Sequence, residues 1–566
     1  MNFVEKIINF TVMHTAAMYG GMQVRRYYSK SKNADKINER LLMKLLKKSK
    51  NTEFGKKYDF ANIRSVSDYQ KKIPYTTYED YKAYIDEMAE TGRQGLLTAE
   101  TVEFFAKTSG TTGIMKRIPV VRKAKSAFTR TVAIFVYFIN REMKKHGHLY
   151  GKGLNMVEME SSVTKGGIPE GIISAYTIEK SQSVVSAITC IPNEAFKCGE
   201  ESDMKYIKSF YALKEKDLTY FAAVFNSNIT DLIHYIIENQ DILCYDIQNG
   251  KISDKIDIPA DIKEKLNKKL RPDPDRAEEL REIFRSSPEH LMKAIWPKLC
   301  FIIGIGSGEF SAFTRMLKKL CGDDVAFFNE TYSSSESLIA TGIETDNEDY
   351  FLLFDNGFFE FIPVEDENSR PLMLHELKAG ELYEIVITNL SGLYRYRIKD
   401  VVRVTGYKGK VPLLRFAYRK NQVINITGVK LTAEHITGAI KAFEKRTGII
   451  INDYCLYPDT ENVPWNIVLF METQSDISPE ISDRLGEIFD EELSKTNREH
   501  ERMLKIGETS PSVVLTVQNG TFREFREYRI SSGISQNQIK SVRVISSSEH
   551  LDFFRKHIKE VLESVK

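Results

Sequence analysis

Four hydroxyls, two glycines and a lysine crowd together between Thr108 and Lys116, in the string TSGTTGIMK. Thr108, Ser109, Thr111 and Thr112 supply the hydroxyls. Gly110 and Gly113 let the backbone turn and bring its N–H groups near an anion, and Lys116 adds a cation. That combination suits a phosphate-bearing ligand, with a plain Ser/Thr/Gly surface turn as the competing reading. The string lacks the Gly-x-x-x-x-Gly-Lys spacing of a P-loop, which excludes a kinase-type nucleotide site. A second concentration lies in AFFNETYSSSESLIA, Ala326 to Ala340. There Tyr332, Ser334, Ser335 and Glu336 follow a short apolar run; an aromatic at a strand end can stack on a base, and a carboxylate can hold Mg²⁺. A third is LYRYRIKDVVRVTGY, Leu393 to Tyr407. Asp400 stands where a carboxylate could accept hydrogen bonds from both hydroxyls of a ribose, or could pair with Arg397 or Arg403.

The elements that must position these groups alternate between strand and helix, which implies an α/β core. Val102 to Ala106 and Ile118 to Val121 read as strands on either side of the hydroxyl-rich loop. Helices are predicted over Asn33 to Lys48, Ser67 to Glu90 with a break at Pro74, and Ala124 to Lys145. Leu218 to Phe225 reads as a strand, followed by a helix over Ile229 to Glu238 capped by Ser227 or Asn228. Between Pro259 and Lys298 the chain is charged and helical, with a restart at Ser287-Pro288-Glu289 where serine caps and proline opens the helix. Leu299 to Ile303 is a buried strand running into Gly304, Gly306, Ser307 and Gly308, either a ligand-binding edge or only a tight turn. FFEFIP, Phe358 to Pro363, and ELYEIVIT, Glu381 to Thr388, read as paired strands. Beyond Arg419 a strand, the helix Thr432 to Lys445 and further short elements predict a small α+β domain. The expected division is therefore residues 1–420, large, and 421–566, small, with Arg419 to Gln422 as hinge.

Composition limits the alternatives. A chain of 566 residues exceeds one ordinary core. Its formal charge of +2 gives no reason to expect nucleic acid as a partner. Six cysteines lie far apart without metal-ligand spacing, which predicts reduced thiols and a cytoplasmic setting. No stretch is long and apolar enough to span a bilayer, and the amino terminus has no clean signal-peptide core. Phe3, Ile7, Phe10 and His14 share a helical face, predicting an amphipathic helix packed on the body by that face; contact with a membrane surface is the second reading.

Together the three stretches resemble, in order and spacing, the nucleotide motifs of adenylate-forming enzymes, the superfamily of acyl-CoA ligases, luciferases and peptide-synthetase adenylation domains. The nearer resemblance is to the Gretchen Hagen 3 family of acyl-acid amido synthetases, carried by YSSSE at Tyr332, FEFIP at Phe359, LYRYR with Asp400 and RVTGY, NGTF at Asn519, and SSGISQNQIK ending at Lys540. It extends from about Asn33 to about Ile545. Two departures stand out: Lys399 occupies the place where the family usually has glycine before the aspartate, and Val542 one where proline often follows.

The resemblance implies a large multi-sheet α/β amino-terminal domain, a smaller mobile α+β cap, and an ATP- and Mg²⁺-dependent ligation of a small carboxylic acid to an amino acid or related amine. It implies that Thr108, Ser109, Thr111, Thr112 and Lys116 hold phosphates, and that Tyr332, Ser334 and Ser335 line the adenine and α-phosphate region. Glu336 would bind Mg²⁺, Asp400 the ribose, and Arg419 would brace the hinge. Lys430 resembles a lysine near the nucleotide, and Lys540 one that the cap brings to the α-phosphate. Segments Leu154 to Ser161 and Tyr220 to Asn228 would contribute to the acid pocket. Thioester formation with coenzyme A and a non-catalytic nucleotide-binding scaffold are the alternatives.

Overall fold

Runs of β-branched and aromatic residues without internal charge form strands covered on both faces, whereas alternating ones form strands with a polar side. The computed structural model describes residues 3–108, 116–156, 161–173, 186–198, 203–307, 311–420, 424–426, 429–459, 464–532, 541–545 and 547–559. The chain divides into two compact units, Met1–Gly306 with Thr314–Phe416, and Ser307–Phe313 with Ala417–Lys566.

Three sheets build the first unit. In one, Lys152–Asn155, Leu218–Phe225, Phe301–Ile305 and Ala326–Phe328 lie side by side in that order, every neighbouring pair parallel. Parallel neighbours need crossovers, and helices such as Met204–Lys214, Asn226–Glu238 and Ser311–Cys321 lie in them. The second sheet has seven strands in the order Gly357–Pro363, Leu382–Asn389, Tyr396–Lys408, Val411–Arg419, Tyr350–Leu352, Leu338–Gly342, Thr331–Ser333. FFEFIP and ELYEIVIT pair antiparallel throughout, Phe358 opposite Thr388 and Pro363 opposite Tyr383. The third places Val102–Thr108 between Lys116–Val121 and Pro169–Gly171, with Thr108 opposite Lys116 at the base of the hydroxyl-rich loop.

The LYRYR string fastens the amino-terminal helices to the seven-stranded sheet. Tyr394 is buried, its ring stacked 5.2 Å from that of Phe54 and its hydroxyl donating to Leu97 O at 3.0 Å. Arg395, left-handed at φ 49°, turns inward: Nε donates to Glu360 Oε2 at 3.1 Å, and Nη1 to the carbonyls of Gln70 and Ile73 at 2.8 and 2.7 Å. Gln70 completes the clamp by donating to the other Glu360 oxygen at 3.1 Å. The guanidinium thus satisfies the carboxylate and two helix-end carbonyls that burial would otherwise orphan.

In the second unit, Ile451–Asp459, Asn466–Thr473 and Val513–Thr516 form a three-stranded sheet. Helices Ala433–Thr447 and Leu485–Thr496 share a core with it, built from side chains such as Phe443, Leu469 and Phe489. Thr432 caps the first of these helices by accepting from His435 N, as its sequence predicts.

Four local expectations need correction. Ser287 caps no new helix: at φ 42° it ends Pro274–Ser286, and the chain becomes helical again only at Leu291. The helix expected from Ile229 starts at Asn226, directly off the strand, and Asn228 Oδ1 accepts from Phe225 N inside its first turn. Tyr332 lies on a strand of its own, Thr331–Ser333, rather than in the polar turn. Finally, the first helix, Phe3–Lys30, does not pack by the face expected but by one turned about 90° from it. Asn9, Met13, Ala17 and Gly20 are buried, while Phe3, Ile7 and Phe10 are exposed and His14 half-buried. The inner face wins because Asn9 bonds the backbone of Gly151 at 2.9 Å in both directions. The backbone at Gly20 also approaches Ala133 O so closely that a Cβ there would meet it at 1.9 Å.

Replacing Arg395 leaves Glu360 buried without its cation. Arg395→Met should therefore lower the stability of the fold by about 3–5 kcal/mol, and adding Glu360→Gln should restore part of that loss. Urea unfolding of the single and double variants measures both.

Candidate functional site

Tyr332 and Asp400 belong to strands four steps apart in the seven-stranded order. At about 4.8 Å per step, a flat sheet would separate those strands by roughly 19 Å. Instead Tyr332 Oη donates to Asp400 Oδ2 at 2.9 Å. The sheet curls back on itself, and this bond ties its terminal strand to its middle. Asp400 is 2% exposed and Tyr332 8%, and the tyrosine ring packs beside Tyr350 and Phe416 with centroids 6.0 and 5.9 Å away.

A bulge aims the aspartate. Glu384 opposes Val401 and Val386 opposes Arg397, so the strand carrying Asp400 advances four residues while its neighbour advances two. The two surplus residues fall within Ile398 to Asp400, three residues opposite Ile385 alone, and Lys399 takes the left-handed conformation at φ 64°. Glycine adopts that conformation without cost, and a lysine does not. Arg397, one partner considered for Asp400, is engaged with Glu384 at 2.6 Å.

Glu336 is held from two sides. The turn that contains it closes through Ser334 N donating to Ser337 O at 2.9 Å and Ser337 N donating to Ser334 O at 3.2 Å, with Ser335 half-buried beside it. Asn389 Nδ2 then donates to Glu336 O at 2.6 Å, and Tyr396 Oη to Glu336 Oε1 at 3.3 Å. Burial, foremost, and the neighbouring Glu336 carboxylate push the Tyr396 hydroxyl far above the ordinary tyrosine range, so it stays a donor. Two residues before Tyr332, burial pushes the Glu330 carboxyl up to about 7. Tyr396 and Asn389 are the site residues that sequence reasoning missed. The available signal was a tyrosine inside LYRYR and an amide at the end of an apolar strand, both of which read as framework.

A second polar cluster sits at the carboxyl ends of the parallel strands. Asn226 Nδ2 donates to Thr314 Oγ1 at 2.7 Å, Thr314 Oγ1 to Gly306 O at 2.8 Å, and Gly306 N to Asn329 Oδ1 at 3.3 Å. The glycines are there for room: a Cβ at Gly304 would lie 2.4 Å from Asn226 Oδ1, and one at Gly306 2.3 Å from Asn226 Nδ2. Asn226 Oδ1 itself is buried and bonds no other described residue.

The structure thus brings Tyr332, Ser334, Ser335, Glu336 and Asp400 together. Lys116 faces Thr108 across the hairpin, its Nζ 5.3 Å over the Tyr78 ring. Ser109, Thr111, Thr112 and Lys540 lie outside the described residues, as do the side chains of Thr108 and Lys430. Lys430 pairs with Asn425 in the two-stranded ribbon Ile424–Ile426 and Val429–Leu431. Arg419 ends the strand Val411–Arg419, half-buried and in the second unit. Among the described residues no cluster of three or more His, Cys, Asp or Glu could cage a metal ion. A divalent ion here would meet Glu336 as a protein ligand and complete its sphere from elsewhere, as Mg²⁺ does with phosphates and water.

Comparison with known proteins covers nearly the whole chain. Residues 23–326 match the GH3 family N-terminal domain, 350–419 the GH3 family central domain and 434–549 the GH3 family C-terminal domain. Among curated relatives, the indole-3-acetic acid-amido synthetase GH3.4 of Arabidopsis thaliana is 28% identical over 546 residues, 91% of this chain and 90% of its own. The 4-substituted benzoates-glutamate ligase GH3.12 of the same plant is 25% identical, with 92% and 94% covered. The solved structure of the GH3.15 acyl acid amido synthetase shares the fold, with a TM-score of 0.83 at 22% identity over 94% of this chain and 95% of that one.

Lys399 supplies the local test. The left-handed conformation costs a non-glycine residue about 1–2 kcal/mol. Lys399→Gly should therefore leave thermal stability unchanged or slightly raised. Lys399→Val, β-branched, should lower it by at least ~1 kcal/mol and disturb Asp400. Thermal melts of the two variants side by side check the sign of each.

Proposed function

Since the chain belongs to the GH3 family, we propose that it is an ATP- and Mg²⁺-dependent acyl-acid amido synthetase that adenylates a small carboxylic acid and passes the acyl group to an amino acid or related amine. The observation that carries this reading is the meeting of Tyr332, Glu336 and Asp400 in one curled sheet, in a chain matched by all three family domains. The relatives named above differ in their acids, an indole acetate in one and 4-substituted benzoates in another. The acid of this chain is accordingly proposed only as a class.

The chemistry follows from charge. In the first half-reaction a carboxylate oxygen attacks the α-phosphorus of ATP, and the bond to the bridging oxygen breaks with its electron pair leaving on pyrophosphate. In the second, an amine nitrogen attacks the acyl carbon, loses a proton, and AMP departs. Anion meeting anion requires fixed donors and cations to offset repulsion. Asp400, oriented by Tyr332, accepts hydrogen bonds from the ribose hydroxyls. Glu336, braced by Tyr396, fits Mg²⁺ as a single carboxylate beside phosphate oxygens. Tyr332, Ser334 and Ser335 line the nucleotide. Thr108, Ser109, Thr111, Thr112 and Lys116 hold its phosphates, and Lys430 and Lys540 supply further positive charge from the carboxy-terminal part, residues 421–566, with Arg419 at the hinge. Asn226, with a buried acceptor to satisfy, faces the acid or the adenylate in the segment assigned to the acid pocket.

Exchange of labelled pyrophosphate into ATP should depend on an added acid, across a panel of aromatic and aliphatic carboxylates. Asp400→Ala, losing charge-assisted bonds of about 1.5–3 kcal/mol each, should lower kcat/KM for ATP at least ~100-fold. Acid-independent exchange, or an Asp400→Ala enzyme with wild-type kinetics, would sink the proposal.

A further inference from the structure

The first helix shows solvent a face that a soluble surface helix does not carry. From Phe3 to Met22, a run of about 28 Å at helical rise, its outward arc is built from large apolar side chains with threonines and a histidine between them. Phe3 is 77% exposed, Val4 62%, Ile7 50%, Met18 72% and Met22 54%. Leu149, 57% exposed, extends the strip at its amino-terminal end, where Lys6 lies 5.1 Å over the Tyr150 ring and Asn9 is bonded to Gly151. A contiguous apolar patch of this extent marks an interaction surface.

The charge around the strip selects its occupant. Glu5 is the only acid on the helix, against Lys6, Arg25, Arg26 and Lys30. Exposed Lys144 and Lys145 stand in the segment leading to Leu149, and Lys32 follows the other end. Lys145 is paired with Glu142 and Arg26 with Asp355, yet at both ends of the apolar strip these basic side chains outnumber the acidic ones beside them. A second copy laid antiparallel along it would bring one basic end against the other, and a parallel copy would do the same end on end. An anionic surface meets no such repulsion. The helix is also fixed for lying flat: Asn9 anchors one end to Gly151, and Arg26 and Tyr27 anchor the other to Asp355 at 2.6 and 3.0 Å. Among the described residues no helix is long and apolar enough to cross a membrane.

We propose that this strip docks the protein on an anionic lipid surface, with Phe3, Val4, Ile7, Met18, Met22 and Leu149 entering the interface and the flanking lysines and arginines meeting lipid headgroups. This rests on the surface alone and stands apart from the reading of the nucleotide site. Flotation of the full-length protein should show binding to vesicles of phosphatidylcholine with phosphatidylglycerol, weaker binding to phosphatidylcholine alone, and weakening by salt. Ile7→Glu with Met18→Glu, both at exposed positions, should reduce vesicle binding at least ~10-fold while leaving the melting temperature unchanged. Absence of vesicle binding by the wild-type chain, or equal binding by the variant, overturns the proposal. So does light scattering that shows a dimer which the same substitutions dissolve, since the strip would then be a contact between copies.

Discussion

A hydrogen bond from the Tyr332 hydroxyl to the Asp400 carboxylate joins strands that the pairing order alone would leave far apart. Here a buried phenol on a buried acid holds the curled edge, together with the bonds of Asn389 and Tyr396 to Glu336. The same carboxylate that closes the sheet is the one assigned to the ribose, so framework and proposed chemistry depend on one group. A buried acid without donors would be costly, which makes the tyrosine as much a condition of the fold as of the site.

The strand Tyr396–Lys408 and the residues just before it do several jobs by changing direction at two left-handed positions. Tyr394 and Arg395 turn inward to hold the amino-terminal helices. Tyr396 then braces Glu336, and Arg397 is taken up by Glu384. After Lys399 the surplus chain delivers Asp400 to Tyr332. A regular strand would leave Tyr396 and Asp400 on one face but four residues, about 13 Å, apart. The bulge takes up surplus chain between them, and the non-glycine residue at its tight point stores a little strain beside the site.

Much of this was legible in the sequence. FFEFIP and ELYEIVIT paired as read, because long apolar strands with few turn residues leave little choice of register. The α/β class was recoverable from the alternation of strand and helix, and the family from the three stretches together with FEFIP and the carboxy-terminal strings NGTF and SSGISQNQIK. What escaped was long-range. Nothing local in TYSSSE or IKDVV shows that a terminal strand curls back on a middle one, and nothing in LYRYR separates the clamping arginine from the bracing tyrosine. Ser287 misled because serine before proline suits a helix start, yet the preceding helix runs on and uses that serine as its left-handed end. The first helix misled for another reason. Its apolar face looked like the packing face, whereas the structure packs the side bearing small residues and Asn9, since close approach to Ala133 and two backbone bonds at Gly151 require those residue types.

The most direct measurement is a double-mutant cycle across the closing bond, with Tyr332→Phe, Asp400→Asn and the pair compared by urea unfolding and by the KM for ATP. If one interaction holds both sheet and site, the two substitutions couple by about 1.5–3 kcal/mol in stability, and the double variant is scarcely worse in KM than Asp400→Asn alone. Strict additivity in both readouts would contradict the account, for it would mean that phenol and carboxylate act independently.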